Sequence, residues 1–289
     1  MQKQPKHPAL TRRQTLALAA LPAFGFGFST GSAHAELKDE GDPATSPRWL
    51  KVRAGLFGER AISTEADAVI SLDAPKRAED AAIVPIAIRA RFEQKPERFI
   101  RKVWLIIDDN PSPIAAIFSY TLDSGRADIE TRVRIDEYSH VRAIAETDDG
   151  GLYMSTRYVK ASGGCSAPPG KDAAAAQASI GQMRLRVVPG SESRRATVAQ
   201  LMISHPNDSG MVMDQATRQY TPPHFVRKVD VTYNGRLVLS ADIDFAISEN
   251  PNLRFYFVPQ DGGGELRATV VDTQDLKFER SFAVQASPM

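Results

Sequence analysis

The sequence is most informative at residues 229–239, which read VDVTYNGRLVL. Asn234 and Gly235 lie at the centre of this stretch, and both tolerate the positive φ angles that a type I′ turn needs at its two central positions. Every second residue on either side of the turn is apolar. The stretch therefore predicts a β-hairpin with one face on a hydrophobic core.

The same period-two pattern recurs on both sides of the hairpin, separated by turn-forming Asp, Asn, Pro and Gly residues. In the first half it predicts strands at residues 68–72, 83–92, 101–107, 114–121, 129–135, 139–146 and 152–160. In the second half it predicts strands at residues 183–188, 195–203, 225–233, 236–243, 253–258, 265–271 and 277–284. Two sets of about seven short strands predict an all-β protein built from two antiparallel β-sandwiches.

The composition changes between the two sets of strands. Small and helix-breaking residues dominate residues 163–170, which read GGCSAPPG, and an alanine-rich run that could form a short helix follows. Such a stretch does not form the interior of a strand. We therefore predict a first domain over residues 47–165, a flexible linker over residues 166–182 and a second domain over residues 183–286.

Cys165, which ends the first predicted domain, is the single cysteine of the 289-residue chain. Its glycine and proline neighbours predict that it lies on mobile, exposed backbone. One cysteine cannot form an internal disulfide, so an inert linker cysteine, an intermolecular disulfide and a working thiol all remain open. Lys160 and Lys171 lie close in sequence and could favour the reactive thiolate.

The N-terminus has the features of an export signal. Residues 1–35 carry four basic and no acidic side chains, an apolar stretch, and a final Ala33-His34-Ala35 with small residues at the two recognition positions. This pattern predicts a signal peptide cleaved before Glu36 and a periplasmic protein without a membrane span. Arg12-Arg13 favours the twin-arginine export route, and a Sec signal that contains two arginines is the alternative.

Composition excludes some functions. Removal of the predicted signal would change the formal net charge from +1 to −3, and nucleic-acid binding needs a basic face. One cysteine and five scattered histidines lack the paired spacing of a zinc site, so we predict neither a metal site nor a cofactor. A catalytic thiol needs a base held within hydrogen-bonding distance, which a mobile arm cannot supply, so we predict a protein without catalytic activity of its own.

Five motifs in the second half resemble the SoxZ family in order and spacing. They read LMISHP at 201–206, SG at 209–210, YTPPHFV at 220–226, VTYNG at 231–235 and AISENP at 246–251. The first half resembles SoxY, whose carrier arm also places two glycines before a cysteine. The fused order is similar to SoxYZ-like carrier proteins associated with quinoprotein dehydrogenases.

This resemblance implies a function and a fold. SoxY and SoxZ are immunoglobulin-like β-sandwiches, and their pair carries sulfur compounds covalently and presents them to periplasmic sulfur-oxidising enzymes. By carry-over, Cys165 is the attachment point, and Gly163 and Gly164 form the arm. His205 and His224 are expected either to pack in turns or to support the arm and the docking of partners.

The sequence departs from this family at the arm. In SoxY the arm is a free C-terminus with glycines after the cysteine, whereas here Ser166-Ala167-Pro168-Pro169 follows and the chain continues. We expect the two halves to pack against each other, as separate SoxY and SoxZ subunits do. An accessory subunit that docks a quinoprotein dehydrogenase system, with an incidental thiol, is the alternative function. The carrier hypothesis requires a sulfur atom that visiting proteins can reach.

Overall fold

The computed structural model describes residues 40–168, 173–188, 196–213 and 217–285, so the predicted signal peptide lies outside the described residues.

The first helix follows directly from its capping residues. Helix α1 (Pro47–Phe57) begins after Ser46, whose hydroxyl oxygen accepts a hydrogen bond from the backbone N–H of Trp49 at 3.3 Å. Its first residue is a proline, which is favourable at this position. A second helix, α2 (Ala173–Ala178), forms from the alanine-rich run.

The described strands follow the predicted pattern closely. Those of the first half are β1 (Ile62–Ser63), β2 (Ile70–Asp73), β3 (Val84–Ala90), β4 (Ile100–Ile107), β5 (Ile114–Tyr120), β6 (Ile129–Val133), β7 (Ser139–Thr147) and β8 (Leu152–Val159). Those of the second half are β9 (Met183–Val188), β10 (Thr197–Ile203), β11 (Val226–Tyr233), β12 (Arg236–Ile243), β13 (Asn252–Phe257), β14 (Gly264–Asp272) and β15 (Lys277–Val284). The prediction of an all-β, immunoglobulin-like sandwich architecture is confirmed.

Both sheets run across the two halves of the chain. A nine-stranded sheet has the order β1-β8-β7-β4-β5-β12-β11-β14-β15, and a six-stranded sheet has the order β2-β3-β6-β13-β10-β9. Antiparallel pairing of β5 with β12 joins the halves in the larger sheet, and pairing of β6 with β13 joins them in the smaller one. The two halves therefore pack side by side through main-chain hydrogen bonds, and the domain boundaries near Cys165 stay a prediction.

Two groups of apolar side chains stabilise this arrangement. The main core lies between the sheets and includes residues of both halves, such as Phe118 and Phe255. A smaller cluster lies on the other face of the nine-stranded sheet, where α1 buries Trp49 and Phe57 against Trp104. No helix of the described residues is long and apolar enough to cross a membrane.

Candidate functional site

The predicted arm lies flat against the end of β6. The backbone N–H of Gly163 donates to the carbonyl oxygen of Asp136 at 2.7 Å, and that of Gly164 donates to the carbonyl oxygen of Ile135 at 2.9 Å. Gly163 has a φ of +78°, a conformation that is costly for residues with a side chain. The arm is therefore held in one conformation by the segment that follows β6.

Gly164 is required by close packing. A Cβ atom at this position would overlap the carbonyl group of Ala81 and lie 2.7 Å from the carbonyl oxygen of Ile135. Both obstacles are backbone atoms, which cannot move aside as a flexible side chain could. The glycine thus permits a tight contact between the arm and the first half of the chain.

Cys165 lies in the interior, and the prediction of an exposed, mobile thiol is wrong. Its residue is only 1% exposed, and its carbonyl oxygen accepts a hydrogen bond from the Ser209 hydroxyl at 2.6 Å. Tertiary contacts from both halves override the local flexibility that Gly and Pro confer on an isolated segment.

Burial also determines the state of the thiol. It raises the pKa of Cys165 to about 12, with a further contribution from the negative charge of Asp136, while Arg134 acts in the opposite direction. The thiol is therefore protonated at neutral pH in this conformation. The expected shift toward thiolate from Lys160 is not what the structure gives, because desolvation is the largest effect, and Lys171 lies outside the described residues.

Arg134 connects the arm's support, which is the segment at residues 135–136 that accepts the hydrogen bonds of the arm, to the second half of the chain. Its guanidinium donates to the carbonyl oxygens of Asn207 at 2.7 Å, Phe245 at 2.8 Å, Ile247 at 3.1 Å and Pro206 at 3.3 Å. The residue is only 6% exposed, and burial lowers its pKa. These bonds satisfy a buried cation with backbone acceptors, so they fix the loop at 206–207 next to the arm.

His205 and His224 meet beside that loop. Their ring centroids are 4.6 Å apart, and Nε2 of His224 lies 2.8 Å from Oδ2 of Asp272. Although burial acts to raise the pKa of Asp272, hydrogen bonds from His224 and from two backbone N–H groups hold that pKa below its usual value. Burial, with the nearby His224, lowers the pKa of His205 to about 4.

These two histidines are close to the arm through one short segment. His224 exchanges two backbone hydrogen bonds with Asp208, at 2.8 and 3.0 Å, and the next residue is Ser209, which holds the carbonyl of Cys165. The structure thus brings His205, His224 and the arm into one region, as the arm-supporting hypothesis expects. That role stays a prediction.

The His205–His224–Asp272 cluster places potential metal-ligating atoms within 4.8 Å of one another. The backbone N–H of Asn207 donates to Nδ1 of His205 at 3.0 Å, so a neutral His205 carries its proton on Nε2, and a protonated nitrogen cannot bind a metal. That Nε2 is 3.6 Å from Asp272, beyond hydrogen-bonding distance. This geometry favours a His224–Asp272 hydrogen bond over a metal centre.

Sequence reasoning did not find three residues that build this region: Arg134, Ser209 and Asp272. The signal for Arg134 is its position between Val133 and Ile135, since a charged residue within an apolar run must either reach solvent or find buried partners. Ser209 belongs to a quoted motif, but no local pattern relates it to Cys165. Both contacts depend on how the two halves pack.

Comparisons with known proteins identify both halves. Residues 53–165 match the family described as Sulfur oxidation protein SoxY, and residues 186–283 match Sulphur oxidation protein SoxZ. The chain is a SoxYZ-like fusion. The SoxY match ends at Cys165, so the sole cysteine of this SoxYZ-like chain stands at the end of its SoxY region.

Solved structures resemble parts of this SoxYZ-like chain. The sulfur carrier protein SoxY from Chlorobium limicola f thiosulfatophilum is 23% identical, with 39% of this chain and 91% of that chain covered and a TM-score of 0.33. A superoxide reductase (neelaredoxin) from Ignicoccus hospitalis is 13% identical, covering 36% and 97%, with a TM-score of 0.31. Fibronectin(III)-like modules of Clostridium thermocellum CbhA are 12% identical, covering 76% and 94%, with a TM-score of 0.23. A search of curated proteins gave no match.

Proposed function

We propose that this protein is a periplasmic carrier that holds a sulfur compound covalently on Cys165 and presents it to partner oxidising enzymes. The observation that carries the proposal is that the SoxY match ends on the single cysteine of the chain. The SoxZ region that follows supplies the second component of the carrier pair. The carrier has no catalytic activity of its own, and its partners supply the redox chemistry.

A carrier with this structure needs a second conformation, because the buried sulfur cannot meet a partner. Three hydrogen bonds hold the arm closed, donated by Gly163, Gly164 and Ser209. A typical intramolecular hydrogen bond contributes about 1 kcal/mol net, so opening these three costs on the order of 3 kcal/mol. An open arm would then be populated at roughly 1% or less, which is sufficient for capture by a partner.

Opening also restores the chemistry of the thiol. In solvent the pKa of the thiol would return toward the usual value of about 8.5, and a few per cent of the thiol would be ionised to thiolate at neutral pH. Attachment of thiosulfate through a sulfur–sulfur bond releases the thiol proton and two electrons. A partner enzyme must therefore accept that electron pair, and reductive cleavage of the bond by two electrons and one proton would restore the thiol and release thiosulfate.

The intact mass of the protein tests this function. The protein is purified from its native periplasm, and its mass is measured with and without a thiol reductant. We expect a mass increase that the reductant removes and that the Cys165→Ser variant lacks. A bare thiol in protein taken from cells that are oxidising the substrate would contradict the proposal.

A second measurement separates the carrier from an accessory subunit of a quinoprotein dehydrogenase system. The Cys165→Ser variant should lose carriage and the associated oxidation in cells, while it still binds its partners. If oxidation in cells is unchanged in this variant, the thiol is incidental and the accessory function is correct.

A further inference from the structure

A basic cleft lies beside the base of the arm. It has a volume of about 550 Å³ and lies between the end of β8 and the segment that follows β2. It is lined by Glu40, Lys76, Arg77, Thr156, Arg157, Tyr158 and Lys160. Four of these seven side chains are cationic and one is acidic, so the cleft has a strong positive charge.

Backbone pairing holds the cationic residues together. The N–H of Lys160 donates to the carbonyl oxygen of Lys76 at 2.9 Å, and the N–H of Ala78 donates to the carbonyl oxygen of Lys160 at 3.2 Å. These bonds form an isolated parallel bridge between Arg77 and Lys160. Arg157 lies on β8, three residues before Lys160, and its guanidinium donates to the carbonyl oxygen of Thr156 at 2.9 Å. The positive charges are therefore gathered by the fold and not by flexible side chains alone.

These charges lack the carboxylate partners that arginines elsewhere on the surface have. Within the described ranges, Arg89 and Arg254 both pair with Glu130, and Arg236 pairs with Asp123. No such ion pair is made within those ranges by Lys76, Arg77, Arg157 or Lys160. Four neighbouring like charges repel one another, and the attraction of a bound anion to each of them would offset that repulsion.

We propose that this cleft binds a small oxyanion of charge −2, of the sulfate and thiosulfate class. Arginine forks and lysine ammonium groups are the usual donors to such anions, and the volume holds one with its bridging waters. Thr156 and Tyr158 add a hydroxyl and a phenol to the lining of the cleft. The site is noncovalent and independent of an adduct on Cys165.

Calorimetric titration tests this site. The full chain with the Cys165→Ser substitution, which removes the thiol, is titrated with sodium thiosulfate and with sodium sulfate, and sodium chloride of equal ionic strength is the reference. We expect saturable binding of one dianion per chain. Adding Lys76→Gln and Lys160→Gln should weaken binding roughly tenfold or more, because two charge-assisted contacts are lost.

The matched control is Lys51→Gln with Lys102→Gln, which makes the same change of charge at exposed positions outside the cleft. We expect its affinity to stay within about twofold of the parent, since screening limits the effect of distant surface charges. Heats that do not saturate, or that chloride reproduces, would overturn the proposal. An equal loss in the control variant would overturn it too, because the effect would then reflect net charge.

Discussion

The hairpin at 229–239 and the arm at 163–165 both depend on glycine, but for different reasons. In the hairpin, Asn234 and Gly235 have φ angles of +48° and +78°, and a Cβ on Gly235 would meet nothing within 4 Å. In the arm, a Cβ on Gly164 would overlap backbone of a distant segment. The turn is thus determined by local conformation, and the arm is determined by tertiary packing.

This difference explains why the two segments were not equally predictable. A type I′ turn needs only the residues that form it, and the sequence contains them. The position of Cys165 depends on Ala81, Ile135 and Ser209, which lie far from it along the chain. A glycine pair next to a cysteine is equally compatible with a free arm and with a closely packed one.

Removal of the Arg134 guanidinium should have the largest effect among the tests of whether tertiary contacts hold the arm in place. In Arg134→Met, the carbonyl oxygens at residues 206–207 and at residues 245 and 247 lose their donor. We expect the free energy of unfolding to fall by about 4 kcal/mol. Urea denaturation measures the change. Arg132→Met, at an exposed position two residues earlier, is the control and should change stability by less than about 0.5 kcal/mol. Equal effects in the two variants would contradict the role assigned to Arg134.

Acid should destabilise the region around His205 that lies beside the arm, and it should leave the hairpin unaffected. The pKa of His205 is lowered to about 4 in the folded state, from 6.5 in its ordinary state. The folded state therefore favours neutral His205, and the stability that depends on this neutral form is complete above pH 6.5. It is lost as the pH falls toward 4, by about 3 kcal/mol in total. Urea denaturation at pH 7, 5.5 and 4 should show this loss in the parent, and His205→Gln should show a shallower dependence. The same slope in both proteins would exclude His205 as its source.

A methyl group at position 164 should uncover the thiol. In Gly164→Ala the arm cannot occupy its observed position, so we expect about 2 kcal/mol of destabilisation and an increase in the alkylation rate of Cys165 of at least about tenfold. Mass spectrometry after timed exposure to iodoacetamide measures that rate. Gly262→Ala, where a Cβ meets nothing within 4 Å, is the control and should leave the rate unchanged. A thiol that stays unreactive in Gly164→Ala would show that the glycine does not govern the closed arm.

The smallest effect is expected in the hairpin. Gly235→Ala introduces a side chain at a φ of +78°, which costs about 1 kcal/mol. The alkylation rate of Cys165 should not change, because the turn makes no contact with the arm's support. A faster rate in this variant would show that the two segments are coupled, and the distinction between local and tertiary control would fail.

Strand positions were predictable because alternation and turn residues are local properties. The bounds of β9, β12 and β15 agree with the sequence pattern, whereas the two-residue strand β1 is too short to produce one. The sharing of both sheets by the two halves could not be predicted, because pairing of β5 with β12 depends on edges that periodicity does not distinguish. In the site, Cys165 was identified from the family motif, but its burial was not, since Arg134 and Ser209 act from distant parts of the chain.

The proposed carrier function requires the arm to open while both sheets stay folded. The most direct measurement is the alkylation rate of Cys165 as a function of urea concentration below the unfolding transition. If the arm opens locally, the rate will be measurable in buffer and nearly independent of urea, because little surface is exposed. If the rate instead rises with urea in parallel with global unfolding, the sulfur is reached only in the unfolded chain, and a carrier role for Cys165 in the free protein is contradicted.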